Sequence, residues 1–82
     1  MDIHHLVKMA NEIGAFFESE PEPAKGAKGS AAHLRSFWDS RMRRESFSYL
    51  DREDGKGLNG LILEALRSHW NEIAPTRYSA SS

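Results

Sequence analysis

The stretch IHHLVKMANEIGAFFES, residues 3–19, decides the fold class. Ile3, Leu6, Val7, Ala10, Ile13, Gly14 and Phe17 recur at the i, i+3, i+4, i+7 spacing of one helix face. Asp2 stands directly before them, placed to accept a hydrogen bond from the free amides of the first turn. His4, Lys8, Glu12 and Ala15 fall on the opposite face. Met9 and Phe16, seven residues apart, lie beside the apolar stripe. The apolar arc is therefore broader than packing against a single neighbour requires.

Working outward, SEPEPAKGAKGS (residues 19–30) is rich in helix breakers, and Pro21 and Pro23 end the first helix. Two starts stay open for the second. Pro23 suits a first turn, but Gly26 and Gly29 each cost roughly 1 kcal/mol relative to Ala, which leaves Ser30 as an equal candidate. Ala27, Ala31, Leu34, Phe37 and Trp38 form its expected apolar face. Asp39 then caps a third helix over about residues 40–52, with the stripe Met42, Phe47, Tyr49 and Leu50. DREDGKG (residues 51–57) reads as a charged loop whose glycines suit a left-handed helix stop. A fourth helix, about residues 58–73, buries Leu58, Leu61, Ile62, Ala65, Leu66 and Ile73, with Leu63 and Trp70 as a flanking stripe. No segment alternates like a strand and none repeats. The expected fold is all-α: a small bundle of about four short helices in one domain, residues 1–73, followed by a frayed, flexible C-terminal tail, residues 74–82.

Composition narrows the function. A chain of 82 residues makes one domain at most, and a domain of this size buries only about 60% of its unfolded surface. With 39% hydrophobic and 28% charged residues it has the make-up of a globular protein. A net charge of −1 gives no global pull towards nucleic acid or membrane, so neither is an expected partner. There is no cysteine, which excludes a disulfide, a thiolate zinc site and a cysteine-ligated iron–sulfur cluster within this chain. The start of the chain has neither a secretory apolar core nor a membrane span, and the cytoplasm is the expected location.

The histidines give no metal site. His4 and His5 are adjacent and point about 100° apart on a helix; His33 reads as solvent-facing, and His69 as a hydrogen-bonded residue within the apolar stripe of the last helix. No H-x-x-x-H pair exists. Serines stand in no nucleophile motif, and GKG at residues 55–57 lacks the spacing of a phosphate cradle. Metal ligands and catalytic residues are both expected to be none, so the chain does not read as an enzyme.

HLRSFWDSRMRRESF (residues 33–47) carries the candidate binding chemistry. Arg41, Arg43 and Arg44 fall in the first two turns after the Asp39 cap, the end at which the helix dipole favours anions. Local rules are broken most often at functional sites. Free amides flanked by guanidinium forks suit a phosphate or a partner's carboxylates. Arg35 lies one turn before Trp38 and can reach the same region. Arg41 and Arg44 point away from the apolar stripe; Arg43 lies close to it and must pair with an acid or snorkel outwards. A solvated basic face, neutralised in part by Asp39 and Glu45, is the alternative. Met9, Phe16, Leu63 and Trp70 are the candidates for a surface buried by a partner, against the alternative that they complete the core.

Three blocks, LVKMANEIGAFF (residues 6–17), HLRSFWDSRMRR (residues 33–44) and LILEALRSH (residues 61–69), fall in the order and spacing of a known family. The chain resembles the delta subunit of soluble, molybdenum-containing, NAD-dependent formate dehydrogenase. Ser40 and Gly60 stand where that family commonly has proline. The resemblance implies a non-catalytic helical accessory subunit that supports assembly, stability or molybdenum-cofactor insertion. It also implies that the partner subunits hold bis-molybdopterin guanine dinucleotide, iron–sulfur clusters and FMN, and that this chain binds no cofactor of its own.

Two readings follow from it. In one, the chain docks on the catalytic and other subunits of formate dehydrogenase. In the other, it is a maturation adaptor that binds a guanine nucleotide, or the nucleotide end of the cofactor, through Arg35, Trp38, Asp39, Arg41, Arg43 and Arg44, with Trp38 available for stacking. A nucleic-acid module is the least favoured reading, since no broad basic face accompanies the cluster.

Overall fold

The computed structural model describes residues 2–74, which form five helices. They are α1 (Ile3–Phe17), α2 (Pro23–Phe37), α3 (Ser40–Glu53), α4 (Gly60–Ser68) and α5 (Trp70–Ile73). No strand occurs among the described residues. The all-α fold is as expected; of the tail, residues 75–82 lie outside the described residues.

α1 begins as its periodicity dictates. The Asp2 carboxylate accepts from the His4 amide at 3.0 Å, and Leu6, Ala10 and Gly14 are buried on the inner face. α2 takes the earlier of its two possible starts, with Pro23 in the first turn. The glycines that argued against that start are what place the helix. A Cβ at Gly29 would come within 2.6 Å of the Phe17 ring, and one at Gly26 within 3.0 Å of the Phe17 carbonyl. Gly26, Ala27, Ser30 and Ala31 are all buried, so the inner face of α2 is nearly flat. That lets α1, α4 and α5 all pack against α2. Close approach of the neighbours outweighs the low helix propensity.

Two expectations about the apolar faces need correcting. Phe37 does not join the core but is 74% exposed. α2 stops at Phe37, and Trp38 leaves it with extended backbone (φ −89°, ψ 134°), so Trp38 is buried in its place. The last helix is not continuous over residues 58–73. Leu58 is buried in the preceding loop, Asn59 caps α4, and His69 (φ −120°, ψ 28°) interrupts the helix before α5. The interruption re-aims the chain, so that Ile73 is fully buried and Trp70 is 47% exposed. It also splits the Leu63/Trp70 stripe between two helices. The core assembles Leu6, Ala10, Ala31, Leu34, Ile62, Leu66 and Ile73 around α2.

An amide network ties α1 to the α3–α4 loop. The Asn11 Nδ2 donates to the Gly57 carbonyl at 2.9 Å, and its Oδ1 accepts from the Asn59 amide at 2.7 Å. Asn59 in turn caps α4 through Leu61 N (2.7 Å) and donates to Glu18 Oε1 at 3.1 Å. Gly14 makes room for this: a Cβ there would lie 2.7 Å from Asn59 Cγ. The loop itself turns through left-handed backbone at Asp54 (φ 57°), Gly55 (φ 68°) and Gly57 (φ 88°).

Candidate functional site

The arginine-rich junction between α2 and α3 is built around the Asp39 cap, whose Oδ1 accepts from Met42 N at 2.8 Å. Arg43 is half-buried and pairs with no acid among the described residues. Its Nη1 donates to the Ile73 carbonyl at 3.1 Å and its Nη2 to Ser40 Oγ at 3.4 Å, while Nε is buried without a partner. A charge disfavoured at the start of α3 thus serves the end of α5, where unpaired carbonyls attract cations. Arg35, Arg41 and Arg44 are exposed and form no ion pair among the described residues. Trp38 is 5% exposed, and its ring has no free face large enough to stack a base. Of the six residues of the cluster, Asp39 and Arg43 act as local structural ties; the other three arginines point outward.

The second feature is a groove of about 390 Å³ between α1 and α2. α1 contributes Met9, Glu12, Ile13, Phe16 and Phe17; α2 contributes His33 and Phe37, with Trp38 at its end. Its aromatic rings form a continuous chain. Phe16 meets Phe17 edge to face at 5.0 Å, Phe17 meets His33 at 6.2 Å, and His33 meets Phe37 at 4.5 Å and 30°. Phe16 and Phe37 are nonetheless 73% and 74% exposed. His33 is half-buried in this chain rather than solvent-facing.

The four candidate partner-surface residues therefore separate. Met9 and Phe16 share the groove, although Met9 also packs on the core. Leu63 packs against the core next to Gly55, where a Cβ would approach its Cδ2 within 2.5 Å, and Trp70 lies on α5. Neither lines the groove. Sequence reasoning missed Phe37, His33 and Glu12 as groove residues. The signal available was the i, i+4 spacing of His33 and Phe37, on the edge of the Ala27/Ala31/Leu34 face.

His69 is half-buried, with Nδ1 2.9 Å from Glu72 Oε2 across the α4–α5 break. No group of three or more His, Cys, Asp or Glu residues that could hold a metal ion occurs among the described residues. The chain has no cysteine either, so its residues do not fit an iron–sulfur cluster.

These features define a small all-α protein whose exposed surface carries an aromatic-lined groove between α1 and α2 and, apart from it, three exposed arginines. A family model described as NADH-dependent formate dehydrogenase delta subunit FdsD matches residues 5–66, from α1 into α4, and the chain belongs to that family. Among curated proteins no match was found. Solved structures likewise gave none.

Proposed function

We propose that this chain is a non-catalytic accessory subunit of a cytoplasmic NADH-dependent formate dehydrogenase, supporting assembly, stability or molybdenum-cofactor insertion. Family membership over residues 5–66 carries the reading. Formate oxidation and NAD reduction then belong to the other subunits, which hold the bis-molybdopterin guanine dinucleotide, the iron–sulfur clusters and the FMN. The absence of cysteine supports that division, as do exposed aromatic rings of the kind partners bury. Nucleic acid and membrane are not partners in this reading. The net charge is −1, and no helix among the described residues is long and apolar enough to cross a membrane.

The test is deletion of this chain from the producing host, followed by purification of the remaining enzyme. Lower yield, molybdenum content or thermal half-life is expected, restored by adding the chain back. A fully active, fully loaded and normally stable enzyme from the deletion host would refute the proposal. The maturation-adaptor alternative, a guanine nucleotide on the arginine cluster, has no specific observation in its favour. Burial of Trp38, the capping role of Asp39 and the engagement of Arg43 with Ile73 take three of its six residues.

A further inference from the structure

The α1–α2 groove has the marks of a seat for one particular kind of side chain. Its walls are the rings of Phe16 and Phe37, about three-quarters exposed, an arrangement that leaves large apolar area in water. Glu12 lies on the same edge of α1 as Phe16, one turn earlier, and lines the groove. Glu12 is exposed and has no ion pair among the described residues. An open carboxylate beside open aromatic faces matches a guanidinium. That group is planar, weakly hydrated, forks onto a carboxylate through two N–H donors, and lies favourably on an aromatic ring.

We propose that this groove receives an apolar segment of the catalytic subunit carrying an arginine, its guanidinium paired with Glu12 and resting on Phe16 or Phe37. The proposal rests on the accessory-subunit reading above and adds the surface and the chemistry of the partner. Charge complementarity selects this occupant over a second copy of the chain. A two-fold pairing would set the groove against itself, bringing Glu12 towards Glu12 and supplying no arginine, because none lines the groove.

The experiment measures binding of the full-length chain to the purified formate dehydrogenase lacking it, by biolayer interferometry. Phe16→Ala/Phe37→Ala should weaken binding by about 30-fold or more, as loss of paired aromatic anchors does. Glu12→Gln should weaken it by about tenfold, and Glu12→Lys by more. Glu12→Gln keeps the test decisive should the double phenylalanine variant lose its helical circular dichroism. Arg41→Ala/Arg44→Ala tests the competing arginine surface, which lies outside the groove, and should bind within about twofold of the parent if the groove is the seat.

Unchanged binding by the groove variants, with loss in the arginine variant, would overturn the groove while leaving the accessory role standing. No binding by the parent chain would overturn both. Self-association of the parent that vanishes in Phe16→Ala/Phe37→Ala would make the occupant a second copy and overturn the proposal. So would tighter binding on deletion of residues 75–82, which would make that segment the occupant.

Discussion

Gly14→Ala should destabilise this protein although alanine is the better helix former, and the sign should reverse when Asn59 is also changed. In the parent chain the added methyl would lie 2.7 Å from Asn59 Cγ and 2.8 Å from its Oδ1. Asn59 cannot simply swing away, because Oδ1 caps α4 through Leu61 N and its own backbone amide is held by Asn11. Displacing that side chain loses a cap of about 1 kcal/mol. Overpacking adds about 1–3 kcal/mol, and the gain in helix propensity returns about 1 kcal/mol. The net expected loss is about 1–3 kcal/mol.

Asn59→Gly removes the obstruction and, as a tolerated N-cap, costs only a few tenths of a kcal/mol relative to asparagine. In that background Gly14→Ala should be neutral or stabilising by up to about 1 kcal/mol. Urea unfolding followed by circular dichroism measures all four corners of the cycle, and the coupling should exceed about 1 kcal/mol. An equal loss from Gly14→Ala in both backgrounds would refute the steric argument.

Other residues give sharper single outcomes. Arg43→Ala should cost about 1.5–3 kcal/mol, because a charged donor to the Ile73 carbonyl is lost. Arg41→Ala, at an exposed position, should stay within about 0.5 kcal/mol, and equal costs in thermal melts would mean that Arg43 is not a structural tie. Gly60→Pro should stabilise by about 0.4–1 kcal/mol. Gly60 is the first residue of α4, a Cβ there meets nothing within 4 Å, and Asn59 already has the extended backbone (φ −58°, ψ 145°) that precedes proline comfortably. A lower Tm would count against it. Ser30→Ala should raise stability by about 1 kcal/mol, since the fully buried Ser30 hydroxyl has no hydrogen-bond partner; a loss of stability would reveal a partner for it.

The helices whose apolar faces are self-evident were legible before the structure. α1 announces itself by period and by the Asp2 cap, and the Asp39 cap with the stripe after it marks α3 correctly. The start of α2 was not decidable, because the reason for Gly26 and Gly29 is the Phe17 residue of another helix. The break at His69 was hidden for a related cause. Leu58, Ile62, Ala65, Leu66 and Ile73 fit one periodic stripe even though the first lies in a loop and the last on a separate turn.

The arginine cluster was located as a feature, but the partner of Arg43 is a backbone carbonyl 30 residues away, which no side-chain pattern advertises. The groove was half legible. Met9 and Phe16 stood out on α1, whereas Phe37 passed for core until Trp38 was seen to take its place.

The small-residue face of α2 has a consequence for how the chain folds. Two glycines, two serines and an N-terminus without a side-chain cap give α2 little tendency to form alone. Yet α1, α4 and α5 all rest on it. Its helix must therefore form together with the collapse of its neighbours rather than ahead of it. The backbone amides around Ala27, Ala31 and Leu34 should exchange with solvent only when the whole bundle opens, making a helix of low intrinsic propensity the slowest to exchange.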